Sequence, residues 1–501
     1  MNNTQATTKN TLVGIDLGTS GVKVVFVTPG GRTLAAATRN YETASPYDGW
    51  AEQDPDQWWR STIEAFRDAS AQASLAEPNG IEVAGIGLTG QMHSFVLLDG
   101  DNTPVRPAIV WMDARARNLV PEISATIDRG GFKQSVKNRV AAGLTLSPFV
   151  WVSRHEPRLL ERARKLLFAK DYLRFRLTGD LRTDITDASG SLLLDIPKRR
   201  WSGELLEALA LPIGVLPEIV NPWDCAGRVT AAAADELGLN RRPWVAVGAA
   251  DQQASTLATG VLEPGTVQLM LGTGVQVASP TAVGDLELPE SLNYFCHHHG
   301  WLAQGSVQNG GSALTWVRTV LQGEWDELEQ HAGRRLPQGP FFLPYLTGER
   351  TPVMDEQATG AWFKLRHSTA RSDLLYAGCE GVAFTALDAV EAVFHALKLS
   401  EQTEIRCSGG GTRMEQYSQL VCDALGRPLT MLPSTDSTAI GAAILGGVAA
   451  HCFGGLEQAV GAMGISAGRV VYPNTERHAA LRERHAERNK LRDAYLGVQI
   501  R

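Results

Sequence analysis

Two short turns carry the residue types that bind phosphate. Leu17-Gly18-Thr19-Ser20-Gly21 follows an apolar run at 11–16 (TLVGID) and precedes another at 22–28. Gly272-Thr273-Gly274 sits in the same way between runs at 267–271 and 275–278. A tight turn between strands points consecutive N–H groups outward, small side chains admit a phosphate, and Thr and Ser hydroxyls add donors. Either turn alone reads more readily as an ordinary hairpin. Two copies, "LGTSGVKVVF" at 17–26 and "LGTGVQVA" at 271–278, lie about half the chain apart and would clamp a polyphosphate from two sides. Asp16 precedes the first turn, where a carboxylate is placed to hold Mg²⁺. Asp251 ends the run 244–250. A carboxylate there faces the crevice of an open α/β sheet, or it N-caps the helix that follows; both readings stand. Lys23 reads as solvated.

Further groups are less specific. Gly90-Gln91-Met92-His93 follows a buried run at 83–88, so His93 is either a hydroxyl ligand or a structural histidine. Gly409-Gly410-Gly411-Thr412 lies between a strand and a helix, where flat rings can rest on backbone. It lacks the spaced glycines of a dinucleotide fingerprint. His297-His298-His299 looks like a metal tract, but alternation along a strand would send the middle ring away from the others.

The elements that must position these groups follow from period and punctuation. Strands at 11–16, 22–28 and 33–39 form a meander. A helix spans 56–76, with Asp54 as its cap. A strand at 83–88 makes the class α/β with a mixed sheet. Helical spacing covers 159–177. Strands at 244–249, 267–271, 275–278 and 405–408 follow, with helices at 373–397, 415–425 and 475–496. The repeated strand–turn–strand divides the chain into units 1–243 and 244–475, with 476–501 a helix packing back.

Composition sets outer limits. A chain of 501 residues, 44% hydrophobic and 20% charged, is expected to build two domains. The net charge of −7 disfavours nucleic acid and anionic membranes. Six Cys without a CxxC pair fit a reducing cytoplasm and argue against a zinc site. The first ten residues are polar and read as a loose tail. The Ala/Gly-rich stretch 438–455 reads as a buried helix and its exit.

The motifs together resemble the FGGY carbohydrate kinases, and within them the branch acting on D-xylulose. The matching segments are "GIDLGTSGVKV" at 14–24, "WAEQDPDQWW" at 50–59, "GQMHS" at 90–94, "WMDARA" at 111–116, "KDYLRFRLTG" at 170–179, "DITDASG" at 184–190, "FLPYLTGERTP" at 342–352 and "GGGTRMEQYSQLVCDALG" at 409–426. The resemblance implies a two-domain actin-like, ribonuclease-H-like ATPase fold with an interdomain cleft. It implies ATP and Mg²⁺, a small sugar as partner and a possible homodimer. Gly18, Thr19, Ser20, Gly272, Thr273 and Gly274 become phosphate ligands, and Gly409, Gly410, Gly411 and Thr412 hold the adenosine end. Gln91, Met92, His93 and Gln252 become sugar neighbours. Asp251 becomes the base, with Asp16 and Asp251 beside the metal. The segment "DSTAIGAA" at 436–443 comes near the nucleotide. The implied reaction is D-xylulose to D-xylulose 5-phosphate. Asp251-Gln252-Gln253 and Gly272-Thr273-Gly274 look more like glycerol kinase, so glycerol and D-ribulose remain alternatives. A protein-binding actin-like ATPase is the remote one.

Overall fold

The computed structural model describes residues 9–499 except 78–79, 335–337, 434–435 and 466–467. Residues 1–8 of the expected tail and 500–501 of the C-terminal segment lie outside the described residues.

The first sheet forms from β1 (Lys9–Leu17), β2 (Gly21–Val27), β3 (Thr33–Asn40), β4 (Ile81–Gly90), β5 (Cys225–Arg228), β6 (Trp244–Ala246) and β7 (Ala249–Ala250). Its order is β5-β6-β4-β1-β2-β3, with β7 also on β4. The strands at 244–246 and 249–250, read from sequence as the start of the second half, pair in this sheet through β4.

The second sheet forms from β8 (Thr266–Leu271), β9 (Val275–Thr281), β10 (Asn293–Cys296), β11 (Trp301–Val307), β12 (Glu404–Ser408), β13 (Leu429–Met431) and β14 (Arg469–Val471). Its order is β10-β11-β9-β8-β12-β13-β14. The first sheet runs from β3 through two antiparallel pairs, two parallel pairs and an antiparallel edge, and the second repeats this run from β11 with one more antiparallel pair, β10–β11, before it. The repeated turn sequence therefore belongs to a repeated topology.

Alternation along β1 and β2 sorts their side chains between two cores. Val13, Ile15, Val22 and Val24 face α1 (Pro55–Ala76) and its Trp58 and Phe66. Phe26 meets Phe66 edge to face at 5.2 Å, and burying a ring of that size stabilises by roughly 2–3 kcal/mol. The α1 helix starts where Pro55 suits a first turn and Asp54 accepts from Asp56 N.

Two of the helices that precede the second half are α2 (Ala169–Thr178) and α3 (Ile185–Gly190). The expected helix at 159–177 is interrupted. Pro157–Arg162 is helical, but Lys165–Phe168 is a strand pairing with Phe95–Leu98. Leu166, Leu167 and Phe168 are fully buried there, and the pairing wins over helical spacing.

Then come α4 (Asp251–Ala258), α5 (Arg371–Leu397), α6 (Glu415–Leu425), α7 (Ser437–Ala449) and α8 (Thr475–Gln499). The Ala/Gly-rich α7 covers the other face of the first sheet, where Leu12, Val25 and Val27 meet Ala439, Ala443 and Ile444. The approach is close: a Cβ on Gly87 would fall 1.7 Å from Ala442 O. Only glycine fits, which is the reason for the glycines in β1 and β4. The α4 helix crosses α7 in the same way, with Gly441 against Ala254 O. Among the described residues no helix is long and apolar enough to cross a membrane.

Candidate active site

Three parallel strands of the first sheet end together. Asp16 pairs with Thr89 on one side of β4, and Ala249 pairs with Thr89 on the other. Two strand spacings separate them, roughly 10 Å between Cα atoms. Asp251 follows at once as the first residue of α4, and Ala250 takes the cap position. The Asp251 carboxylate accepts from Gln252 N at 2.7 Å. Burial pushes its carboxyl up to about 7, and the charge of Asp16 adds to the rise. Burial also raises Asp16, although Thr438 donates to it and Lys23 opposes the shift. Lys23 is not simply solvated: its ammonium meets Asp436, just before α7, at 2.6 Å.

The first turn is braced on both sides. Gly18 N donates to Gly21 O at 3.0 Å, and Gln53 donates to Thr19 O at 2.8 Å. Tyr41 donates to Gly18 O. The Thr19 hydroxyl accepts from the half-exposed indole of Trp111 at 2.8 Å. Ser20 is exposed. The second turn has the same internal bond, Gly272 N to Gly274 O at 3.0 Å. Thr273 O accepts from Gly310 N at 3.2 Å and Ser312 N at 3.0 Å. Thr273 itself is exposed. Parallel pairing of Met270 with Ser408 brings the third glycine group beside this turn. Gly409 adopts φ 100 with its Cα against Leu271 O, a place no side chain fits. Gly410, Gly411 and Thr412 continue as a short 3₁₀ turn, and Thr412 Oγ1 donates to Gly409 O at 2.7 Å.

The turn after β4 supplies the other wall. His93 sits at φ 69, a left-handed backbone that is costly for a residue with a Cβ. Its Nδ1 bonds Gly190 O at 2.8 Å, and Thr145 donates to its carbonyl at 2.9 Å. Burial lowers its pKa to about 4, so the ring is neutral at pH 7. Met92 packs with Ala250 and Phe295, beside the candidate base. Gln91 is buried, with its amide on Gln53 at 3.0 Å and its Oε1 without a hydrogen-bond partner.

Gln252 points elsewhere. It is buried, and its amide donates to Gln268 Oε1 at 2.7 Å. The three histidines lie after β10 rather than along a strand. His297 bonds Thr256 at 2.9 Å, His298 bonds Gln253 O at 3.0 Å, and His299 lies 3.0 Å from Glu457.

No sequence pattern gives a role to the buried ionic group around Lys170. Lys170 Nζ contacts Asp171 at 2.6 Å, Asp184 at 2.7 Å and Asp187 at 3.4 Å. Burial works against its ammonium, but the three carboxylates outweigh it and raise the pKa. Arg174 joins through Asp171 at 2.6 Å. The signal in the sequence is a Lys-Asp pair and two further Asp in "DITDASG", and charged side chains in such segments ordinarily face water.

Comparison with known proteins defines the class. The FGGY family of carbohydrate kinases matches through its N-terminal domain at residues 11–258 and its C-terminal domain at 271–450. The chain belongs to the FGGY family of carbohydrate kinases. It is 33% identical to the xylulose kinase of Escherichia coli (strain K12), over 94% of this chain and 96% of that one. A crystal structure described as a xyloylose kinase from Brucella ovis superposes with TM-score 0.85 at 33% identity, covering 97% of this chain and all of that one. A glycerol kinase from Plasmodium falciparum, solved with ADP, shares the fold at TM-score 0.87 and 21% identity, over 97% of this chain and 98% of that one.

Proposed function

We propose that this kinase transfers the terminal phosphoryl group of ATP to a hydroxyl of D-xylulose, giving D-xylulose 5-phosphate, with Asp251 as the general base. The observation that carries the reading is the placement of Asp251. It follows a parallel strand that ends two strand spacings from Asp16, with Ala250 against Met92, and its carboxyl is raised to about 7. A base of that pKa is half ionised near neutral pH and takes a hydroxyl proton effectively. The relatives named xylulose kinase support the choice of sugar.

Each residue has a distinct task. Asp251 accepts the proton of the attacking oxygen. Gly18, Thr19 and Ser20 on one side, and Gly272, Thr273 and Gly274 on the other, offer N–H and hydroxyl donors to charge on the transferring group. Gly409, Gly410, Gly411 and Thr412 provide a flat backbone surface for the adenosine end. His93, neutral and fixed by Gly190, orients a sugar hydroxyl, and Met92 packs on its carbon face. Asp16 and Asp251 fit a divalent cation in donor chemistry, since both offer hard carboxylate oxygens and the charge of Asp16 acts on Asp251. Mg²⁺ held there would neutralise phosphate charge. Closure of the two halves would exclude water, the competing acceptor.

Glycerol is the second reading, from Gln252-Gln253 and the short second turn. The Gln252 amide is already satisfied by Gln268, so that glutamine does not argue for glycerol. The test is ATP consumption with D-xylulose, D-ribulose and glycerol side by side. D-xylulose is expected to give the largest kcat/KM, and a larger value for either of the others overturns the substrate. His93→Ala is expected to raise the sugar KM about tenfold or more while the ATP KM changes little, as loss of a hydrogen bond to a substrate hydroxyl requires. The opposite pattern makes His93 purely structural.

A further inference from the structure

The strand that delivers Asp251 is broken. β6 ends at Ala246 and β7 holds only Ala249 and Ala250. Between them Gly248 takes φ 95, and its Cα lies so near Leu88 O that a Cβ would clash at 2.4 Å. Val247 N and Gly248 N donate outside the ladder with β4, to Asp224 O and Pro222 O at 2.9 Å each. Two buried side chains grip the break as well. Arg174 donates to Val247 O at 3.0 Å. Ala250 N donates to Thr186 Oγ1 at 3.0 Å.

Thr186 is itself fixed. Its hydroxyl donates to Asp184, whose Oδ1 also accepts from Thr186 N at 2.7 Å and Asp187 N at 3.3 Å. The other oxygen of Asp184 lies 2.7 Å from Lys170. Lys170, Asp184 and Thr186 are each fully buried. The hydroxyl proton is committed to Asp184, so its lone pairs face Ala250 N–H. The chain of contacts runs from a buried ammonium, through a carboxylate and a hydroxyl, to the peptide before the base.

The same helix reaches the other side of the pocket. Thr186 stands at the start of α3, and Gly190 at its end bonds His93 at 2.8 Å. A Cβ on Gly190 would fall 2.7 Å from the Met92 side chain. Ser189 Oγ accepts from Cys296 N at 3.0 Å, which ties the helix to the second sheet. One turn and a half of helix thus spans from Asp251 to His93.

We propose that Thr186 is a positioning residue for Asp251, and that α3 with its Lys170–Asp184 anchor sets the spacing between the base and His93. A buried ionic network is poor value as pure stabilisation, because desolvation offsets its attraction. Fixing a reacting carboxylate is a use that justifies it, since displacement by about 1 Å costs about a hundredfold in rate. The inference rests on Asp251 being the base.

The test compares Thr186→Val, Thr186→Ser and Asp251→Asn in the full-length enzyme with ATP and D-xylulose. Rates are expressed per nucleotide-binding site, so that unfolded protein is not counted. Thr186→Val keeps the shape and removes the acceptor. Its kcat is expected to fall about 10–100-fold, with both KM values within about threefold of the parent. Thr186→Ser keeps the acceptor and is expected to recover kcat to within about threefold. If Thr186→Val yields no soluble protein, Thr186→Ala removes the same oxygen and is judged identically. A Val variant within about twofold of parental kcat, or Val and Ser variants that fall equally, overturns the proposal. If Asp251→Asn keeps its turnover, the base assignment itself fails. If it loses turnover while Thr186→Val does not, only the positioning role fails.

Discussion

Asp251→Asn is expected to lower turnover by about a thousandfold or more, while the sugar KM changes little. The amide keeps the shape and still accepts from Gln252 N, as the carboxylate does at 2.7 Å. It has no basic lone pair of carboxylate strength for the hydroxyl proton. The parent enzyme is expected to lose kcat/KM about tenfold per pH unit below about 7, because burial and Asp16 hold the carboxyl protonated up to there. The same shift has a stability consequence of opposite sign. The folded protein keeps this proton to about pH 7, whereas an unfolded Asp releases it near pH 4. Between these values the folded state binds more protons, so stability falls as pH rises through the window. About three pK units correspond to at most about 4 kcal/mol, less whatever cleft solvent screens. Asp251→Asn is therefore expected to melt higher than the parent at pH 8, without Mg²⁺ or nucleotide, and equally at pH 4. A variant that keeps about a tenth of parental turnover removes Asp251 from proton transfer.

Sequence pattern served best where the determinant is local. The helix α1 was readable because Asp54, Pro55 and the apolar spacing after them act within one turn. The two Gly-Thr turns were readable for the same reason. Lys165–Phe168 was not: its residues continue the helical spacing on either side, and its partner Phe95–Leu98 lies about 70 residues upstream. Sheet membership failed similarly at 244–250. The strand was legible, but its neighbour β4 is distant in sequence. Gly14, Gly85 and Gly87 sit inside apolar runs, and nothing in their spacing names α7 as the helix that approaches them.

At the site, single residues with strong chemistry were legible and shared networks were not. Asp16 and Asp251 announce themselves by position at strand ends. Lys23 reads as solvated until Asp436, 413 residues away, is seen beside it. Gln252 has the right type for a sugar ligand, but Gln268 takes its amide. Thr186 carries the least signal of all, since a hydroxyl in an Asp-rich segment is common. Its role comes from burial and from Ala250, 64 residues on.

Asp388→Ala is expected to destabilise the fold by about 3–5 kcal/mol, through the anchoring of α8. Asp388 projects from α5 and receives Arg488 at 2.6 Å, His485 at 2.6 Å and Arg492 at 3.3 Å. Arg488 is fully buried and also touches Tyr345 at 3.3 Å. One helical turn earlier, Arg484 meets Glu380 with two bonds of 2.6 Å, so the terminal helix returns on a line of buried pairs. Removing the carboxylate strands a guanidinium without water, which costs far more than the pair contributes when whole. Burial opposes the charge on Asp388, but Arg488 and His485 overcome it and lower its pKa to about 2. The linkage sign is that of a depressed acid. The contribution is complete above about pH 4 and is lost as pH falls toward 2. Urea unfolding of Asp388→Ala, Arg488→Met and the double variant separates charge burial from packing. The double variant is expected to be more stable than Asp388→Ala alone, because it no longer buries an unpaired cation. If Asp388→Ala costs less than about 1 kcal/mol, the helix is held by its apolar contacts and not by these pairs.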